Sequence, residues 1–361
     1  MLNTGTDDEV FRNYCERQNL KASPKVEDDT FVRPLLDIMA QQLSAFPAAG
    51  DPEHAAQFVR MGFIDRGSPN AFVDAWEGGA CICLHSGLLL SITEAAIQLQ
   101  DRIGAFDTDL AAASGGNLTD PIGMTSFLNL LNKVDRDETL FEAPAGRDEA
   151  ATWRATSFVS SGLQFVVLHE FAHVAFGHLG FLQSNGEPAR LFEMDEEGGS
   201  KGGHDPEIRY FLEHEADVFA LETLLRSALG RQLTSQDETY ASGDEVFAIL
   251  MSYLTTVFGW ITLENELGRS SQSTHPLSFE RLFALPMAVQ GLLGEQAVFE
   301  GPLSEALNRC RVLLAGVVPR YPRFGSIARI FTPEVLSGID RKIDWMREMD
   351  DKTASRLRSR L

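Results

Sequence analysis

The chain has 361 residues and 44% hydrophobic content, enough to bury the core of one large domain or two ordinary ones, so a disordered or fibrous protein is excluded. A formal net charge of -21 would be repelled by nucleic acid and by anionic membranes, so neither is expected as a partner. Basic or neutral proteins stay open as partners.

Residues 1–30 are acidic and polar, with neither the basic start nor the continuous apolar core of a secretory signal, and read as a mobile lead-in. Cys15, Cys81, Cys83 and Cys310 are too scattered for a disulfide framework, which makes the cytoplasm the expected location. Helix-like apolar spacing runs from Phe31 to Phe63. The stretch SPNAFVDAWEGGACICLHSGLLL then changes character: a Pro/Asn turn, a Gly-Gly turn, a strand over Ala80 to His85 and a helix from about Ser86. Cys81, Cys83 and His85 share one face of that strand at about 7 Å intervals, too far for neighbours to share a tetrahedral zinc. They read as core or cleft-lining residues.

Residues 104–152, rich in Gly, Asp and Ala around a short apolar island, read as an inserted cap. From Ser160 to His178 the chain is apolar nearly all round, as a helix through the centre of a domain should be. Glycines and acidic residues dominate 184–205, an expected exposed loop. Asp205-Pro206-Glu207 supplies an N-cap, a proline at the first helical position and an acidic first turn, opening a helix expected to reach Gly230. Val246 to Leu263 approaches the length of a bilayer span, but its hydroxyl residues and the capping pattern before it favour a buried core helix. The main domain is expected over 31–290, followed by a helical extension over 291–361.

The chemistry-bearing stretch is LHEFAHVAFGHL, residues 168–179. His169 and His173 lie four residues apart, so on a helix both imidazoles can reach one ion, and Glu170 sits about 100° round. That is the spacing of zinc hydrolases in which two histidines bind and the glutamate is general base. The bland reading is an amphipathic helix with two surface histidines. His178 follows His169 by nine residues, about 900° of rotation, which puts it on the opposite face if the helix continues; a capping or surface role is then expected.

A catalytic zinc needs a third protein ligand and one open position. In FLEHEADVFALETLL, Glu213 and Asp217 are four apart, with Ala216 and Ala220 small enough to permit close approach to the first helix. Glu213 would complete a His-His-Glu shell around one Zn2+ ion, and Asp217 could accept the N–H of a ligand histidine and fix its tautomer. His214 and Glu215 are rivals, each requiring a different rotation of the helix.

HEFAHVAFGH followed by EHEAD resembles the gluzincin metallopeptidases of the HtpX and CAAX-prenyl-protease type, whose third ligand is the glutamate of a Glu-x-x-x-Asp pattern; here that is Glu213, with Asp217. PNAFVDAWEGGACICLHSGLL, Pro69 to Leu89, is similar to the segment that forms the family's substrate-binding edge strand, which implies substrate contacts at Asn70, Ala71 and Phe72. THPLSFERL, Thr274 to Leu282, resembles a His-Pro segment that would bring His275 and Arg281 to the active site as oxyanion stabilisers. The spacing departs from the family, since Leu89 and His169 are 80 residues apart. A soluble relative, near the Lit phage-exclusion peptidases or the ImmA/IrrE regulators, fits better than a membrane-embedded one.

The resemblance implies an α+β fold, mainly helical and zincin-like, with a small sheet whose edge strand borders the cleft. The expected activity is endopeptidase hydrolysis of protein or peptide substrates by a zinc-activated water, with Glu170 as base. The substrate would lie antiparallel to the Ala80 to His85 strand and touch Ala80, Cys81, Ile82 and Cys83. The alternative is a non-catalytic zinc-containing regulator that captures a regulatory protein partner through the same strand.

Overall fold

A computed structural model of the chain describes residues 3–5, 8–23, 32–44, 58–93, 149–184, 190–192 and 206–234, with single positions and short runs between 96 and 349. The elements are β1 (Asn3–Gly5), α1 (Asp8–Arg17), α2 (Val32–Ser44), β2 (Phe58–Ile64), β3 (Ala71–Trp76), β4 (Gly79–His85), α3 (86–93), α4 (Glu149–Ala175), α5 (His178–Ser184), β5 (Arg190–Phe192) and α6 (Pro206–Thr234). The fold is α+β. Residues 104–148 of the expected cap, His275 and nearly all of 291–361 lie outside the described residues.

One five-stranded sheet has the order β1-β2-β4-β3-β5. Its β1, β2 and β4 run parallel, while β3 is antiparallel to both β4 and β5. Positive φ at Glu77 (44°) and Gly78 (84°) makes the two-residue connection between β3 and β4 a primed turn, whose twist matches that of the flanking strands.

The strand expected at the edge is interior. Cys81 in β4 is paired with Arg60 of β2 on one side and with Asp74 of β3 on the other, and every residue of β4 is buried. Both sides of its backbone are committed to the ladder, so no peptide can add there, and Ala80, Cys81, Ile82 and Cys83 are corrected from substrate contacts to core. Near-continuous apolar runs are the signature of such a strand.

Alternation along the strands divides the core in two. Ala80, Ile82, Leu84, Ala71, Val73, Val59, Met61 and Phe63 face α2 and α4. Cys81, Cys83, Phe72 and Ile64 face the other way, onto Phe11, Tyr14 and Cys15 of α1. The expected mobile lead-in is therefore corrected over residues 3–5 and 8–23: β1 extends the sheet, and α1 covers its second face. Tyr14 is fully buried and its hydroxyl donates to Asp74 Oδ2 at 3.1 Å. Burial pushes the Cys81 thiol up to about 12, with Cys15 and Asp74 adding to the effect, and raises that of Cys83 as well, so both thiols are neutral packing groups.

Helical spacing from Phe31 to Phe63 is correct for α2 and wrong for β2, whose FVRMGFI is a strand buried on both faces. At the start of α3, a Cβ on Gly87 would stand 2.2 Å from the Gly67 carbonyl oxygen, so only glycine permits this approach of helix and loop. The described positions of the helix expected from Val246, among them Ile249, Leu250 and Tyr253, are helical and buried. Among the described residues no single helix is long and apolar enough to cross a membrane; the bent pair formed by residues 157–175 and 178–184 passes by length and composition only.

Candidate metal centre

His169, Glu170 and His173 occupy the C-terminal part of α4, each at most 1% exposed. This helix lies over the sheet and packs along α6, in which Ala216 and Ala220 are fully buried. Small side chains there let the two backbones approach closely enough for side chains of α6 to reach the histidines of α4.

Glu213 is the residue that arrives. One of its carboxylate oxygens lies 3.2 Å from His169 Nε2 and the other 3.8 Å from His173 Nε2, while the two Nε2 atoms are 3.1 Å apart. Donor atoms of His169, His173 and Glu213 all fall within 4.8 Å of one another, and all three residues are buried. Of the rivals, His214 is buried beside the Tyr210 ring at 5.0 Å, and Glu215 points to His178.

The outer nitrogens explain why the inner ones converge. His169 Nδ1 is 2.8 Å from Asp217 Oδ1, an acceptor, so the ring carries its proton there and presents a lone pair at Nε2. Asp217 is itself held by Arg281, whose Nε donates to Oδ2 at 2.8 Å and whose terminal nitrogen donates to Oδ1. This fork keeps a fully buried carboxylate ionised: burial would raise its pKa, but the guanidinium charge and its hydrogen bonds, aided by His169, bring it below the ordinary value of 3.8. The Arg281 carbonyl accepts from the Tyr253 hydroxyl, and the Tyr253 ring packs edge-on against Phe165 at 4.9 Å, which ties the clamp back to α4.

Arg281 thus reaches the site from behind His169, through Asp217. Asn70 and Ala71 stand at the start of β3, where the Asn70 side-chain oxygen accepts the Ala71 N–H at 2.9 Å. β5 pairs with Phe72, Val73 and Asp74, so a strand already lies on the outer side of β3.

His178 is not a surface group, and it stands outside the converging donor set. Its rotation count assumed a continuous helix, but α4 ends at Ala175, Gly177 takes a left-handed φ of 74°, and α5 leaves at 50°. The bend brings a fully buried His178 to His173, Nδ1 to Nδ1 at 2.8 Å, with its own Nε2 2.9 Å from Glu215. Gly177 was the available signal, since a glycine two residues beyond the last helical turn is a common helix stop.

The set fits a divalent metal. Burial lowers the His173 pKa well below 6.5 against the pull of Glu213, so the imidazole is neutral, as a ligand must be. Two nitrogens bound at about 2.0–2.1 Å in a tetrahedral shell stand roughly 3.3 Å apart, close to the 3.1 Å between these Nε2 atoms. Lone pairs facing each other and a carboxylate in a dry core repel unless a cation lies between them.

Residues 81–299, more than half of the chain, match the protein family described as Peptidase U49. No curated protein and no solved structure matches.

Proposed function

Because the chain belongs to the Peptidase U49 family, we propose that it is a zinc-dependent endopeptidase of the gluzincin kind, in which His169, His173 and Glu213 hold the ion and Glu170 is the general base. The convergence of two outward-anchored imidazoles on one buried carboxylate carries this reading. Bound there, zinc would supply Lewis acidity to the scissile carbonyl and to the attacking water.

The protein's own part is positioning and proton transfer. Glu170, beside His169 on α4, takes the proton of the attacking water and passes it to the leaving amine. Asp217 and Arg281 hold His169 in one tautomer and one orientation. Oxyanion stabilisation falls to His275, because the guanidinium of Arg281 is engaged on Asp217.

An extended peptide would pair with the outer side of β3, entering past Asn70, Ala71 and Phe72. The three residue pairs that β5 makes there must then give way. Partner capture without cleavage would have to use the same side of β3, because the strand first expected to carry it is interior. A cytoplasmic setting accords with four buried, free cysteines.

The test compares protein termini in cells expressing wild type or Glu170→Gln, with zinc content measured on both purified proteins. New termini confined to wild type, at equal zinc content, are expected. The same termini in both would remove Glu170 from the mechanism.

A further inference from the structure

A hydrogen bond between two imidazoles at like nitrogens has a restricted proton arrangement. Neutral imidazole carries one N–H and one lone pair, so of the two Nδ1 atoms 2.8 Å apart on His173 and His178, one must donate and the other accept. Glu215 decides which. Its carboxylate, 2.9 Å from His178 Nε2, accepts only, so the His178 proton sits on Nε2 and its Nδ1 offers a lone pair. His173 then carries its proton on Nδ1 and turns the Nε2 lone pair toward Glu213 and His169.

From this chain of donors we infer that His178 and Glu215 are positioning residues for the metal centre, a relay from α6 through α5 that sets the tautomer and ring plane of His173. It rests on the zinc reading above. The arrangement parallels the Arg281–Asp217 clamp on His169 but uses different chemistry: the partner of His173 is a neutral ring, and the charge stands one residue further out. That difference has a use in a dry site. Asp217 and Glu213 already bring two carboxylates to the histidines, with one Arg281 guanidinium among them. A third carboxylate against His173 would add another buried charge, whereas Glu215, with its side chain 30% exposed, keeps its charge partly in water and acts through His178, which is fully buried. Three elements cooperate: Gly177 turns the chain, α5 supplies the ring, and α6 supplies both Glu213 and Glu215, two residues apart.

The experiment measures zinc affinity of the full-length protein by competition with a chromophoric chelator. His178→Phe keeps a ring but removes the acceptor. His178→Asn restores an acceptor near the place of Nδ1. Glu215→Ala frees the tautomer of His178. The relay predicts affinity reduced by about 10- to 100-fold in His178→Phe, largely recovered in His178→Asn, and weakened in Glu215→Ala, the usual scale for outer partners of ligand histidines. Thermal unfolding of the metal-free proteins checks that His178→Phe and His178→Asn are both folded at the temperature of the affinity measurement. Equal zinc affinity in wild type and His178→Phe, or failure of Asn to recover what Phe loses, overturns the relay and leaves the zinc reading intact. No zinc binding by wild type overturns both.

Discussion

His169 and His173 present lone pairs to the centre of the cluster because each is held at its other nitrogen, one by Asp217 and one by His178. Neutrality of His173 has a consequence in the metal-free protein. Its folded pKa lies below the unfolded value of 6.5, burial being the main cause. Protons therefore favour the unfolded chain, and the stability this histidine contributes is complete above about pH 6.5 and fades as pH falls below it. Asp217, lowered below 3.8 chiefly by Arg281 against the opposing effect of burial, keeps its contribution until more acidic conditions, losing it as pH falls through its folded value. Urea unfolding of metal-stripped protein should show a plateau above roughly pH 7 and then a decline approaching about 1.4 kcal/mol per pH unit, a slope that His173→Asn reduces. A plateau continuing to about pH 5 would contradict the neutral assignment. Arg281→Met should be costly in another way, destabilising by about 3–5 kcal/mol in chemical denaturation because it leaves Asp217 buried without its cation; Asp217→Asn together with Arg281→Met should recover part of that loss. At this scale the sequence discloses the residues reached by simple helical spacing, His169, His173, Glu213 and Asp217. It hides the link between His178 and Glu215, which depends on the helix break at Gly177 and on the rotation of a second helix.

Between elements, close approach decides what is allowed. Gly87 lets the first turn of α3 rest on the loop at Gly67, and the Gly87 N–H donates to the Arg66 carbonyl at 2.8 Å. Gly87→Ala must push backbone apart, since the obstacle is a carbonyl and not a flexible side chain; a loss of about 1–3 kcal/mol is expected in denaturant titration. β5 is the element that most affects access. Replacing Arg190–Phe192 with Gly-Ser-Gly should weaken a competing ladder by about 1–2 kcal/mol and raise apparent affinity for a peptide substrate about tenfold. Unchanged affinity would mean that substrates do not enter along β3. Turns and the hairpin were legible from Gly78 and Gly79, and so was the strand at 80–85. Its place in the sheet was not: a strand bounded by a hairpin on one side looks like an edge until β2, from a stretch with helix-like spacing, and β1, from a polar N-terminus, supply its other neighbours.

For the molecule as a whole, the hydrophobic content accords with a folded core, and nothing in composition or charge points to a metal. The centre arises where α4 and α6 meet over the sheet, drawing residues from positions 169, 173 and 213. It is stabilised from both ends, by Arg281 behind Asp217 and by Glu215 behind His178. Such burial makes the site a part of the core, so metal binding and folding should be coupled: chelation should lower the thermal midpoint of wild type, and the loss should be much smaller in Glu213→Ala. The most direct test of the central claim is zinc stoichiometry of the purified full-length protein, compared among wild type, Glu170→Gln and Glu213→Ala. One zinc per chain is predicted in wild type and in Glu170→Gln, with little or none in Glu213→Ala. Zinc retained at full occupancy by Glu213→Ala, or absent from wild type after zinc loading, would contradict it.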